Sequence, residues 1–222
     1  MHVAHPPNKV VELFGVKETP RNARDRLLQT AIDLFYHNGF NAIGLDRILD
    51  ETGVTKTTFY KHFESKDDLV VAAIEKQHEW ESAAWKRAIH KIAGDDPKAQ
   101  LLGLFDVLDI WFNDPSFFGC LFINAAAEFS NPNDPAHRAA AVHKKRNRED
   151  AVALARAAGL RDPEAFADLY TTLVEGTLIM RHVHARNDAA KVTRKVIEQL
   201  IAQFDPSPSG RGQGEGGKTK NS

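Results

Sequence analysis

Cysteine is almost absent from this sequence. Cys120 is the single thiol in 222 residues, which excludes an intramolecular disulfide and every two-thiol redox or zinc motif. No stretch approaches the roughly 18 consecutive apolar residues of a membrane span, and Met1 to Pro20 lacks the charged-then-apolar layout of a secretory leader. Nor is charge of either sign in excess, because 29 lysines and arginines face 30 acidic residues for a net charge of −1. A chain so balanced has no overall attraction for polyanions or membranes, so affinity for nucleic acid has to come from a local patch. A cytoplasmic protein that does not engage membranes is expected. Metals and cofactors are not expected, since His137, His143, His182 and His184 lack a second ligand type at ligating spacing.

What is present is abundant helix punctuation. A capping residue followed by proline recurs at Thr19-Pro20, Asp96-Pro97, Asp134-Pro135 and Asp162-Pro163. The cap oxygen satisfies a free backbone N–H, and proline has none to leave unsatisfied. Stop signals follow at Gly39, Gly53, Gly94 and Gly159. The marks predict an all-α chain with helices over 20–38, 45–52, 56–62, 66–92, 97–113, 119–129, 135–158, 163–184 and 188–204, and no alternating strand pattern competes with them. Ser65 with Asp68 makes a capping-box-like start for the fourth helix, whose predicted length of about 40 Å suits a joint between two domains. The division expected is an N-terminal arm over 1–18, partly disordered, a three-helix DNA-binding domain over 19–66, a C-terminal helical domain over 67–204, and a disordered Gly- and Pro-rich tail over 205–222.

Leu45 to Phe63 carries the chemistry. Two short helices meet at Gly53, and Ile48, Leu49, Val54, Phe59 and Phe63 are spaced to bury one face of each, which is helix-turn-helix grammar. The second helix leaves Lys56, Thr57, Thr58, Tyr60, Lys61 and His62 for solvent, with Lys66 just beyond. Between Val54 and Lys66 three lysines stand against one acid, Glu64, so the segment is locally basic in a nearly neutral chain. Thr55 is placed to cap this helix. Lys56 and Thr57 fall in its first turn, where base edges of the major groove are reached, whereas Tyr60, His62 and Lys66 suit phosphates.

The run Gly53-Val54-Thr55-Lys56-Thr57-Thr58-Phe59-Tyr60-Lys61-His62-Phe63-Glu64-Ser65-Lys66-Asp67-Asp68-Leu69 resembles the signature of the TetR family of regulators, and Ala31, Leu34, Phe35, Gly39 and Phe40 extend the likeness through the first helix. Thr55 stands where serine is frequent in that family and Phe59 where leucine is, each keeping the role of the residue it replaces. The resemblance implies phosphate contacts from Tyr60 and Lys66, a dimer on palindromic operator DNA, and a C-terminal domain that takes a small-molecule effector. Asp46 cannot attract a phosphate at the start of the second helix, which leaves that contact to Arg47.

Beyond Leu69 the likeness weakens, although Phe118 to Phe129 still resembles one subgroup of TetR-type C-terminal domains. Candidate effector contacts are Phe105, Trp111, Phe112, Phe118, Phe122, Asn124, Glu128 and Glu175, an aromatic concentration with a few polar groups. An ordinary bundle core has the same spacing, and both readings stand at this point. Cys120 is expected to be a small buried thiol, because Gly119 and Leu121 offer no charge to a thiolate. His143 to Arg148 is the densest basic cluster, expected to be a solvated helix face. The apolar stripes of 163–184 and 188–204 suit a four-helix homodimer interface. Two other functions compete with a repressor-like regulator: a non-specific DNA-binding protein, and an enzyme built on Glu128, His143 and Glu175, for which no nucleophile–base pairing or phosphate loop is evident.

Overall fold

The computed structural model describes residues 9–206. Within them lie α1 (Lys9–Phe14), α2 (Ala23–Asn38), α3 (Leu45–Thr52), α4 (Lys56–Phe59), α5 (Lys66–Ala93), α6 (Pro97–Phe112), α7 (Leu121–Glu128), α8 (Pro135–Ala157), α9 (Pro163–His184) and α10 (Ala189–Phe204), with no strand among the described residues. Of the tail expected over 205–222, Asp205 and Pro206 are described, with Asp205 accepting from Lys98 Nζ; residues 207–222 and the first eight of the arm lie outside the described residues.

Local chemistry sets the helix ends. The side chains of Asp96, Asp134 and Asp162 each accept a backbone N–H at the start of α6, α8 and α9, with proline in the first turn. Thr19-Pro20 does not act this way. The α2 cap is Asn22, whose Oδ1 accepts from Asp25 N at 2.9 Å, so Arg21 is exposed outside the helix. At α5, Ser65 Oγ accepts from Asp68 N at 3.1 Å while Asp68 Oδ2 accepts from Glu64 N at 3.1 Å, one residue earlier than a reciprocal capping box.

Two further differences concern length. The α-helix expected over 56–62 ends at Phe59, since Lys61 N donates to Thr58 O at 3.2 Å and His62 N to Phe59 O at 2.9 Å, the tighter three-residue spacing that closes the turn. The arm carries α1, whose Phe14 is buried edge-on against Trp85 at 4.8 Å. Arg87 and Lys91 of α5 reach the carbonyl oxygens of Phe14 and Glu12 and so hold the C-terminal end of α1.

The cores are continuous across the expected boundary at residue 66. Leu27, Ile32, Phe35, Phe40, Ile48, Phe59 and Ile74 pack with Leu121, Phe122, Ala125, Ala136 and Ala140, so α7 and the start of α8 close the N-terminal unit from outside. A second core of Leu101, Phe105, Phe112, Phe166, Tyr170, Ile197 and Leu200 holds α6, α9 and α10 together, with Tyr170 Oη donating to Leu101 O at 2.7 Å. No described helix is long and apolar enough to cross a membrane.

Candidate nucleic-acid interface and effector cavity

The α3–α4 unit turns at Gly53, whose φ of 64° is a conformation that favours glycine. Ile48, Phe59 and Phe63 bury one face. Thr55 Oγ1 accepts from Thr58 N at 3.2 Å and caps α4, while its hydroxyl donates to Thr58 Oγ1 at 2.9 Å. Lys56, Thr57, Tyr60, Lys61 and His62 are exposed and Thr58 is half-buried beside them. All of these candidates therefore share one surface except Arg47 and Lys66, which are partly engaged elsewhere. Arg47 pairs with Glu51 at 2.9 Å on the exposed side of α3, a contact of the kind worth little in water and easily exchanged. Lys66 Nζ donates to Phe40 O at 2.7 Å and lies 6.0 Å from the Phe35 ring centre, which ties the start of α5 to the end of α2.

The larger cavity, about 470 Å³, lies between α5, α6, α8 and α9. Trp85, Leu104, Leu108, Trp111, Leu154 and Val174 supply apolar wall; Glu81, Cys120, His143, Lys144 and Glu175 supply polar groups. Of the eight residues expected to meet an effector, Trp111 and Glu175 line it. Phe105 and Phe112 are core side chains with no exposure. Phe122 stacks on His143 with ring centres 3.5 Å apart, and Phe118 packs outside on Tyr36 and His37. Asn124 is half-buried in α7. Glu128 accepts from the backbone N–H of Phe40 at 2.9 Å and of Asn41 at 2.8 Å, so it joins the two units instead of facing this cavity.

The cluster from His143 to Arg148 is a solvated face only in part. Lys145 and Arg146 are exposed and pair with Glu149. His143, Lys144 and Asn147 turn to the cavity with Asp150 and Ala151, because residues three and four apart share a helix face. Lys144 Nζ donates to both Glu175 oxygens at 2.9 Å. Burial pulls this ammonium down, but Cys120 and Glu175 reverse the effect and raise its pKa. Burial pushes the Cys120 thiol up against the pull of Lys144. His143 is pushed down to about 3 by burial, helped by Lys144 and His78, and its Nδ1 lies 3.0 Å from His78 Nδ1. Glu81, Trp85 and Cys120 went unnoticed as lining residues: α5 reads as a connector in sequence, and its alternation of tryptophan and acid over Trp80, Glu81 and Trp85 was the available signal.

A helix-turn-helix on a basic surface, joined by a long helix to a helical bundle with an internal cavity, defines the class of helical DNA-binding regulators. Residues 27–73 match the model of the bacterial regulatory proteins of the tetR family. The chain is 35% identical over 78 residues to the HTH-type transcriptional regulator YerO of Bacillus subtilis, covering 35% of this chain and 27% of YerO. To the HTH-type transcriptional repressor NemR of Escherichia coli it is 28% identical over 116 residues, or 50% of this chain and 56% of NemR. In neither relative does the match reach two thirds of the length. The crystal structure of SCO4454, a TetR-family transcriptional regulator from Streptomyces coelicolor, superposes with a TM-score of 0.74 at 27% identity, covering 82% of this chain and 95% of that one. Residues 27–73 thus carry the DNA-binding segment of the tetR family, and the described chain has the fold of TetR-family regulators.

Proposed function

We propose that the chain is an effector-responsive repressor that binds a palindromic operator as a homodimer. The observation that carries this reading is the surface of α4 and the turn after it, where Lys56, Thr57, Tyr60, Lys61 and His62 are exposed over a buried Phe59 and Phe63. Lys56, Thr57 and Thr58 read base edges; Tyr60, Lys61, His62 and Arg47 hold phosphates, and Lys66, which gives one N–H to Phe40 O, keeps two ammonium donors for a phosphate. The repressor sense is supported by NemR, which is named a repressor.

Leu169, Met180 and Val183 of α9 and Val192 and Val196 of α10 are exposed, whereas Phe166, Tyr170, Ile197 and Leu200 of the same helices are buried. Helices apolar on both sides suit a four-helix interface between two copies. The effector enters the larger cavity, whose walls include α5, and α5 begins at the Lys66 contact with the DNA-binding unit. Ligand that binds the DNA-incompetent conformation more tightly shifts the population towards it. The enzyme reading loses one of its three residues, since Glu128 is committed to Phe40 and Asn41.

Selection of bound sequences from a random duplex library by the purified chain tests the reading. A recovered palindrome is the expected result. Retention without enrichment points to non-specific DNA binding and contradicts the proposal.

A further inference from the structure

A second cavity, about 240 Å³, opens at the junction of α1, α2, α5 and α6. It is set apart from the larger one by a shared wall of Glu81, Trp85 and Trp111. All three tryptophans of the sequence line it, with Tyr36 and Phe14 completing the aromatic surface. Trp85 meets Phe14 and Trp111 edge-on, at 4.8 and 5.5 Å.

The lining holds the carboxylates of Glu81 and Asp33 against one ammonium, Lys17. Gln77 Nε2 donates to Glu81 Oε1 at 2.7 Å. Gln77 Oε1 has no hydrogen-bond partner although the residue is only 8% exposed, and a buried acceptor left so is costly. Asp33 adds a second carboxylate. Lys17, the ammonium in the lining, is 3.4 Å from Asp33 and 5.3 Å from the Trp80 ring centre, so the chain already seats one of its own cations on this aromatic wall. His37 turns its Nδ1 to Asp33 O at 2.7 Å.

We propose that this junction cavity binds a compact organic ammonium ion with an apolar body. The ammonium faces Glu81 and donates to Gln77 Oε1, and the body lies among the tryptophans, whose ring faces attract cations. An anion would meet Glu81 and Asp33. A neutral apolar molecule would leave Gln77 Oε1 orphaned. Because Ile32, Asp33 and Tyr36 of α2 line the same space, the ligand touches the DNA-binding unit directly, which the larger cavity's occupant does not require. The proposal is independent of the effector reading of that cavity, and its failure leaves operator binding, read on DNA, unaffected.

Benzylammonium and its neutral counterpart benzyl alcohol are the probes, titrated into the full chain by calorimetry and by tryptophan fluorescence near neutral pH. Benzylammonium is expected to bind saturably and at least tenfold more tightly than benzyl alcohol. Gln77→Met and Trp80→Leu are each expected to weaken it at least fivefold, while Ala153→Trp, which crowds the larger cavity, leaves it unchanged. If Gln77→Met fails to fold, transfer of magnetisation between the Trp80 indole protons and benzylammonium in the unmodified chain decides in its place. Absence of saturable binding, equal affinity for the alcohol, no transfer at Trp80, or loss in Ala153→Trp alone overturns the proposal.

Discussion

The carboxylate of Glu128 in α7 receives the backbone N–H groups of Phe40 at 2.9 Å and Asn41 at 2.8 Å, 88 and 87 residues away in sequence. The site is built closely: a Cβ at Gly39 would lie 2.9 Å from Glu128 Oε1, and Gly39 holds a φ of 85°. On the other side, Lys66 holds Phe40 O. The end of α2 is thereby clamped from both the bundle and α5.

Charge-assisted bonds to backbone amides are worth about 1.5–3 kcal/mol each when lost from a part-buried setting. Glu128→Ala is expected to accelerate hydrogen exchange at the Phe40 and Asn41 amides by about tenfold or more, an opening energy lowered by about 1.4 kcal/mol. Unchanged protection at both amides would show that the clamp does not hold this turn.

Tyr60→Phe and Lys56→Ala separate positioning from base reading. Loss of a phosphate contact weakens binding uniformly across sequences, whereas loss of a base contact relaxes preference at one position by about 1–3 kcal/mol. Lys56→Ala is expected to change the recovered sequence and Tyr60→Phe to leave it intact with lower affinity. Identical effects in sequence selection would remove Lys56 from base reading.

Val183→Asp combined with Val196→Asp places charge on the exposed apolar faces of α9 and α10, where the two residues are 64% and 42% exposed. Sedimentation should show a folded monomer with operator affinity reduced at least tenfold. A dimer of wild-type strength would move the interface elsewhere.

His143 is kept neutral in the folded chain, its pKa pushed down to about 3 from an ordinary 6.5. The unfolded chain takes up a proton below about pH 6.5 that the folded chain refuses, so stability falls as pH drops from there towards 3, by at most about 1.4 kcal/mol per pH unit. Urea midpoints measured at successive pH values should fall less steeply in His143→Gln than in the unmodified chain. Parallel slopes would contradict the assignment.

Helix positions were legible because caps, prolines and glycines are local chemistry, and the spacing of Ile48, Phe59 and Phe63 marked the buried side of α3 and α4, and so the exposed basic side, without tertiary information. The residues that line the larger cavity were not legible in the same way. Phe105, Phe112 and Phe122 share the helical spacing of lining residues, and whether an aromatic on such a face meets a cavity or a neighbouring helix depends on how α6 and α7 are rotated against α8 and α9. Lys144 was hidden for the opposite reason: a charge run reads as a wet surface, yet its partner Glu175 lies 31 residues away and draws it inward. Asn22 takes the place expected of Thr19 because its Oδ1 is the acceptor that reaches Asp25 N, at 2.9 Å.

The most direct measurement is the affinity of the full chain for its selected palindrome against a scrambled duplex of equal length, at near-physiological salt. A regulator that reads bases is expected to prefer the palindrome by about a thousandfold or more. A ratio near one, with steep salt dependence on both duplexes, would show binding through phosphates alone and contradict the account.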